Sequence, residues 1–448
     1  MHLRKPYAVL SLVAAGVALA GMLPAHLTAA ASDIPLRQTI ESRNGQVQWN
    51  PADGTITIQL PGGDATLTAG TTAATVQGKA LALTAAPYLV NGSTWVSTKT
   101  LEQIEAAVRS NPLLFAFSSV GDSRVDTKTP NLSQQDLVWL NNSKVVNRME
   151  KEVVAQKSSM FFFNGDMIMG YTPNSDANVL NRQYAFWRGM VSGYYENGVY
   201  VFPVPGNHEV QDVIKTPDGK TKKVATQANE DTWRNNMSDV VIDQTRTQQI
   251  LGQQVTWDPT NFPKAGTDHI TTDQSKLDYS FDYKGTHFVV INTDPAGNDS
   301  HAPVEWLKQD LDAARTRGVK HSFVFGHKMA YTYKYDATVT PGGLDADPAA
   351  ADAFWQVIQD HNATYFCGHE HIFNVSQPKG GKAYQVIVGS GGSPFEAANP
   401  TGVASDRMYA WATTRVYADG RVRIDAYGFD DQYGPTQHIT GFDLEQGF

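Results

Sequence analysis

Five short clusters of potential metal ligands punctuate the chain between Asp122 and His371. They are Gly121-Asp122, Gly165-Asp166, Gly206-Asn207-His208-Glu209, Gly326-His327 and Gly368-His369-Glu370-His371. Carboxylates, an amide oxygen and imidazoles form a mixed oxygen and nitrogen set that suits manganese, iron or zinc and poorly suits a thiolate-preferring metal. Two such ions about 3.5 to 4 Å apart clamp the attacking and leaving oxygens of an in-line displacement, with a shared carboxylate as the usual bridge. Six ligand side chains, one of them bridging, suffice for two ions if water or hydroxide fills the remaining positions.

Apolar runs precede all five clusters: Leu114–Phe117, Met160–Phe163, Val199–Pro205, Ser322–Phe325 and Ala363–Cys367. Short runs rich in β-branched and aromatic residues that stop at a glycine read as buried strands ending at a sheet rim, where α/β folds gather catalytic groups. A glycine beside each ligand lets the backbone turn and approach an ion with no Cβ in the way. Between the runs lie helical stretches. Ser133 to Val154 opens on Ser-x-x-Asp, and Val179 to Asn197, Pro303 to Arg317 and Ala349 to Asp360 carry apolar residues at helical spacing. Strand followed by helix argues for an α/β core. After His371 the segments Tyr384–Val388, Met408–Tyr417 and Arg421–Tyr427 read as strands of a second, partly antiparallel sheet. Lys215 to Pro263 is polar and poor in strand signals, and is expected as an insertion near the site mouth, a lid or substrate-selecting loop.

At 448 residues and 49.0 kDa, with 41% hydrophobic and 18% charged residues, the chain can bury a large core and hold more than one domain. A formal charge of −9 argues against a nucleic-acid scaffold or a binder of anionic membranes. Residues 1–31 have the layout of a secretory signal peptide: His2, Arg4 and Lys5, an apolar stretch from Tyr7 to Leu23, then Ala29-Ala30-Ala31 before the expected cleavage. That predicts a protein that is secreted, extracellular or associated with the cell surface. Cys367 is the single cysteine, so no intramolecular disulfide forms, and it reads as a buried, inert thiol.

Residues 32–110 alternate short strands with Asp-Gly, Gly-Gly-Asp and Gly-Lys turns, then close with a helix from Thr98 to Val108. Through Pro35-Leu36-Arg37, Val47-Gln48-Trp49, Gly70, Val76-Gln77-Gly78-Lys79 and Trp95-Val96-Ser97, this β-rich domain resembles the copper amine oxidase N-terminal-like stalk domain. It contains no histidine, so nothing in it points to copper, and the resemblance implies a spacer or a cell-wall association.

In residues 111–448 the order Gly-Asp, Gly-Asp, Gly-Asn-His-Glu, isolated His and Gly-His-x-His resembles the calcineurin-like metallophosphoesterase family, which includes the purple acid phosphatases. The resemblance implies a four-layer α/β/β/α sandwich of two mixed sheets and a centre of two divalent or trivalent ions. Carried over by position, it makes Asp166 the bridge, with Asn207, His327 and His369 completing one site and Asp122 and His371 serving the other. His208 would lie over the reacting phosphate as a proton or hydrogen-bond donor, and an imidazole near its unperturbed pKa of about 6.5 suits such work. Glu209 would orient His208 or hold the loop. His369 and His371, two apart in an extended segment, would project to one side.

One position departs from the family pattern. Where Asp-x-His is common, the third residue is Arg124, and where the purple acid phosphatases use tyrosine three residues after the second aspartate, Met169 stands. The first site would then have fewer protein ligands, take water, recruit Asp126 or Tyr171, or bind its ion weakly. Arg124 is either a phosphate contact through its planar fork or an exposed loop residue. His287 and His321, at strand starts, are expected to be structural, whereas His301 is a candidate substrate contact. The expected activity is hydrolysis of phosphate monoesters or diesters, nucleotides included, by attack of metal-bound hydroxide. The alternative is a non-catalytic cell-surface binding protein with a degenerate phosphoesterase domain.

Overall fold

The structure, a computed structural model, describes residues 32–125, 140–172, 176–334, 339–396 and 407–444. The chain divides into two compact units, Met1–Ser110 and Asn111–Phe448. The leader-like residues 1–31 lie outside the described residues. Among those that are described, no helix is long and apolar enough to cross a membrane.

In the first unit, Thr55–Leu60 alternates strictly, burying Ile56, Ile58 and Leu60 while Thr55, Thr57 and Gln59 stay part-exposed. It is the second strand of a five-stranded antiparallel sheet that runs in chain order from Gln46–Asn50 to Lys79–Ala82. Helix Thr98–Ser110 brings Leu101, Ile104 and Val108, one stripe at helical spacing, into the same core.

The second unit is built on two mixed sheets. The first has six strands in the order Tyr200–Val204, Met160–Asn164, Leu113–Val120, Tyr409–Tyr417, Val422–Phe429 and Gln437–Leu444. Its first three strands are parallel and the rest antiparallel. The seven-stranded second sheet carries Thr286–Val290, His321–Phe325, Thr364–Cys367 and Gln385–Val388 in parallel at its centre, with antiparallel strands on both flanks.

Aromatic side chains from the two sheets meet in one core. Phe162 stacks on Phe325 with ring centroids 3.8 Å apart, Phe117 meets Phe323 at 4.9 Å, and Phe202 meets Phe281 at 4.6 Å. The opposite face of the first sheet buries Phe161, Phe163 and Val201 with Val145, Met149, Leu180 and Trp187 of helices Ser143–Ala155 and Ala177–Met190. The opposite face of the second buries Val289, Val324 and Tyr365 with Leu307, Leu311, Phe354 and Ile358 of helices Val304–Thr316 and Pro348–Asp360. Strands buried on both faces are uniformly apolar, which is why these segments read as runs and not as alternations.

Two helix expectations shift. The first helix begins at Ser143, where the Asn142 side chain accepts from Val145 N at 3.3 Å, and its expected start at Ser133 falls among the undescribed residues 126–139. The stretch Val179–Asn197 is two helices, Ala177–Met190, capped by Asp176, and Ser192–Glu196. The polar segment 215–263 is not a loop. It contributes to the hairpin Gln211–Lys215/Thr221–Ala225 and forms helices Gln227–Val241 and Gln244–Leu251. Trp233, Met237 and Val240 form a narrow stripe that enters the core under the first sheet, and the surrounding polar residues mask it in the sequence.

His287 and His321 are structural. His321 Nε2 meets the Gly420 carbonyl at 2.6 Å. His287 is fully buried between Asp282 Oδ1 at 2.6 Å and Asp310 Oδ2 at 2.8 Å. Burial works against its charge, but the two carboxylates prevail and hold its pKa above the usual value.

Replacing Phe162 with Ala opens the inter-sheet core and should cost about 3–5 kcal/mol in denaturant unfolding. A loss under about 1 kcal/mol would show that the sheets are held elsewhere. The His287 contribution is fully present below the unfolded pKa of about 6.5 and is lost as pH rises through the raised folded value. The His287→Gln variant should therefore lie furthest below wild type in melting temperature under acid conditions, with the gap closing at alkaline pH.

Candidate metal centre

Strand ends from both sheets supply the candidate ligands. Asp122, Asp166 and Asn207 follow the parallel strands of the first sheet, and His327 and His369 follow adjacent strands of the second. Three of the five leave the usual backbone region: φ is 64° at Asp122, 54° at Asp166 and 70° at His369. Such conformations cost of order 1–3 kcal/mol each and persist where the surroundings over-determine them. His369 and His371 are thus separated by a left-handed turn and not by extended chain, because Gly368 must bring the backbone against Asp122. His369 N donates to Asp122 Oδ2 at 3.0 Å. A Cβ on Gly368 would stand 2.2 Å from that oxygen, and one on Gly165, at φ 80°, would stand 2.5 Å from His327 Nδ1.

These loops bring all six predicted ligands together. Asp166, His327 and His369 offer ligand atoms within 4.8 Å of one another, and so do Asp122, Asp166 and His371, so that Asp166 belongs to both groups. On one side, His327 Nε2 lies 3.1 Å from Asp166 Oδ1, 2.9 Å from Asn207 Oδ1 and 3.2 Å from His369 Nδ1. On the other, His371 Nε2 lies 3.6 Å from Asp122 Oδ1.

Carbonyls behind the ligands fix the imidazole orientations. His327 Nδ1 donates to Asn164 O at 2.8 Å and His371 Nδ1 to Pro394 O at 2.7 Å, turning both Nε2 lone pairs inward. Four lone-pair atoms then converge around the first group with no donor among them unless a proton or a cation enters. Burial opposes a proton there, but Asp166 and Asp122 push His327 up to about 10. Burial also raises Asp122 well above the carboxylate range, and its buried Oδ1 has no hydrogen-bond partner among the described residues. Burial opposes charge on Asp166 too, yet His208, His327 and Arg124 hold it well below the normal range. Burial keeps His369 and His371 neutral, the form that ligates. The donor set fits two hard or borderline ions.

Around the ligands sit the other predicted residues. The buried His208 donates through Nδ1 to the Met169 carbonyl, which directs Nε2 to a point 3.6 Å from Asp166 Oδ2. Burial depresses its pKa well below the usual imidazole range, against the pull of Asp166. Burial thus disfavours the charged imidazole more than the unperturbed value expected from the sequence implies. Glu209 does not touch His208. Its carboxylate accepts from Gly206 N, Asp166 N, Met167 N and Ile168 N at 2.7 to 3.1 Å, clasping two ligand loops together.

Arg124 is not an exposed loop residue. Its side chain is 19% exposed, Nε meets Asp166 Oδ2 at 3.2 Å, and Nη2 meets His371 Nε2 at 3.3 Å. Tyr171 lies against His208, ring centroids 4.1 Å apart, and its hydroxyl contacts Asn207 Nδ2 and Gln211, which commits it to the Asn207 side and away from Asp122. Asp126 lies outside the described residues. His301 pairs with Asp347 at 3.5 Å and the Asp299 carbonyl at 2.8 Å, with no contact to the ligands. Sequence reasoning missed Lys223, whose amine sits 4.1 Å over the Tyr171 ring from the hairpin that follows His208; nothing local marks a lysine on a polar strand for that place.

Two carboxylate-histidine groups, each able to hold a metal ion and sharing Asp166, thus lie where the rims of the two mixed sheets meet. The calcineurin-like phosphoesterase family model matches residues 139–373, more than half of the chain, and the chain belongs to that family. The match contains every candidate ligand except Asp122, which lies before it, as does Arg124. The copper amine oxidase N-terminal domain model matches residues 25–111. No curated protein matches the chain.

Similar solved structures include a purple acid phosphatase from yellow lupin (Lupinus luteus) seeds, at 13% identity and a TM-score of 0.48, spanning 73% of this chain but 53% of that one. A dimetal phosphatase from Danio rerio shows 14% identity and a TM-score of 0.37, over 73% of this chain and 99% of its own. A protein of Thermus thermophilus shows 10% identity and a TM-score of 0.32, over 62% of this chain and 90% of its own.

Because Asp166 serves both groups, Asp166→Asn should abolish bound manganese on elemental analysis of the dialysed protein. His301→Ala should retain the wild-type content. Equal metal in Asp166→Asn and wild type would remove Asp166 from the centre.

Proposed function

We propose that the chain is a secreted, metal-dependent phosphoesterase that hydrolyses small phosphate monoesters or diesters, nucleotides included, at a dinuclear centre. One observation carries the reading: a single buried carboxylate, Asp166, lies in both ligand groups, the arrangement a bridged pair of ions requires. Manganese, iron or zinc bound there would supply Lewis acidity and a water acidified towards neutral pH.

The chain's own residues do the rest. Asp122, Asp166, Asn207, His327, His369 and His371 would hold the ions, and the carbonyls of Asn164 and Pro394 keep the lone pairs of His327 and His371 inward. Arg124 and His208 both border Asp166 Oδ2, at 3.2 and 3.6 Å, so a phosphate lying across the centre meets a guanidinium on one flank and an imidazole on the other. A phosphate dianion against His208 offsets the burial that keeps it neutral, and the proton it then carries is the one available to the departing alkoxide. Tyr171 packs on the His208 ring and limits its swing. Export follows from the leader-like residues 1–31, and residues 32–110 act as a spacer or wall attachment.

Hydrolysis of p-nitrophenyl phosphate and its bis ester with added manganese tests the reading. His208→Ala should lower kcat by about 10²-fold or more on the better substrate, the usual scale for a lost proton donor. Asp166→Asn should abolish turnover. Equal rates in all three proteins would leave the non-catalytic binding role as the better account.

A further inference from the structure

Arg124 sits among the atoms that should hold an ion. Its Nε takes Asp166 Oδ2 and its Nη2 takes the inward lone pair of His371, two of the three ligands of the Asp122–Asp166–His371 group. An imidazole lone pair serves one donor or one metal ion at a time. With Nδ1 of His371 committed to Pro394 O, what Nη2 takes is the same electron pair a metal would use. The backbone keeps the guanidinium near. Arg124 pairs with Asn141 in a β-bridge, and its carbonyl accepts from Ser393 Oγ at 2.9 Å. In the Asp166–Asn207–His327–His369 group the facing atoms are His327 Nε2, Asp166 Oδ1, Asn207 Oδ1 and His369 Nδ1, and the guanidinium meets only the other oxygen, Oδ2, of the shared carboxylate.

We propose that the two metal positions are unequal and that Arg124 is an internal competitor: one ion stays at Asp166, Asn207, His327 and His369, while the ion at Asp122, Asp166 and His371 exchanges against the Arg124 guanidinium. The inference rests on the metal-centre reading above. A fixed positive charge about 4 Å from a dication opposes it even at an effective dielectric of about 20, and two ligand contacts must break before the ion enters. Once displaced, the planar fork is left beside the centre with its donors free for a phosphate oxygen.

Calorimetric titration of the full chain, stripped with a chelator, with manganese(II) is the test. Wild type should show two events, the second at least about tenfold weaker, and should retain near one equivalent after dialysis. Arg124→Ala and Arg124→Gln should tighten the second event about tenfold or more and retain near two equivalents, with the first event unchanged. Asp122→Asn should remove the weaker event alone. Two equal events in wild type would overturn the inference, as would Arg124 variants whose second event is unchanged or weaker. Both outcomes leave the metal centre standing. No binding of manganese or zinc by wild type would overturn the metal centre and the inference with it.

Discussion

The carboxylate of Asp166 carries its charge where water is nearly excluded, and the arrangement around it follows from how that charge is neutralised. An isolated carboxylate in such a place would take up a proton. Asp166 is held well below the usual carboxylate range because His327 and Arg124 face it with donors and positive charge, and the backbone N–H of His208 donates to its Oδ1 at 3.2 Å. Asp122, a few ångströms off and without an equivalent set of partners, is pushed the other way. Two aspartates of one sequence type are thus pushed in opposite directions by their surroundings. A pair of cations would remove the contrast, since each carboxylate would then face a positive charge and His327 would give up its proton. Metal affinity in this centre is inseparable from acid-base state.

Holding that charge in place requires a frame that does not yield. The phenylalanines packed face-to-face and edge-on between the sheets set the distance between the two rims, one supplying Asp122, Asp166 and Asn207 and the other His327 and His369. Glu209 then ties the Asp166 loop to the Asn207 loop through four backbone N–H groups, fixing positions that side-chain packing alone would leave loose. Left-handed backbone at Asp122, Asp166 and His369 is tolerated because these loops have no slack. The strain and the clasp are two aspects of one device, which converts sheet geometry into ligand geometry.

Much of this was legible in the residues because ligands at strand ends leave a local record: an apolar run, a glycine and then the ligand. The order of the clusters and the family they resemble could be read without knowing which strands pair. What depends on distant partners could not. Glu209 carries no sign of whether its carboxylate will meet His208 or four amides. The depressed pKa of His208 comes from burial that no neighbour in sequence reports. Helix Gln227–Val241 hides a three-residue stripe in a polar segment, and the amphipathic signal is too narrow to stand out against that composition. The turn at His369 arises from the close approach of Gly368 to Asp122, residues far apart in the chain, and its need appears only when the rims meet.

The exchange of a histidine for Arg124 is a change of kind and not of strength. A histidine at that place adds a neutral lone pair to the ion; an arginine adds a charge of the ion's own sign and withdraws a lone pair that His371 would otherwise lend. On the reading proposed above, ion binding at the Asp122–Asp166–His371 group and the release of the guanidinium toward a phosphate would be coupled through one side chain, because Arg124 contacts two of those three ligands. The coupling needs no movement of the sheets. It asks only that a long side chain, anchored at its backbone by Asn141 and Ser393, exchange carboxylate and imidazole for phosphate.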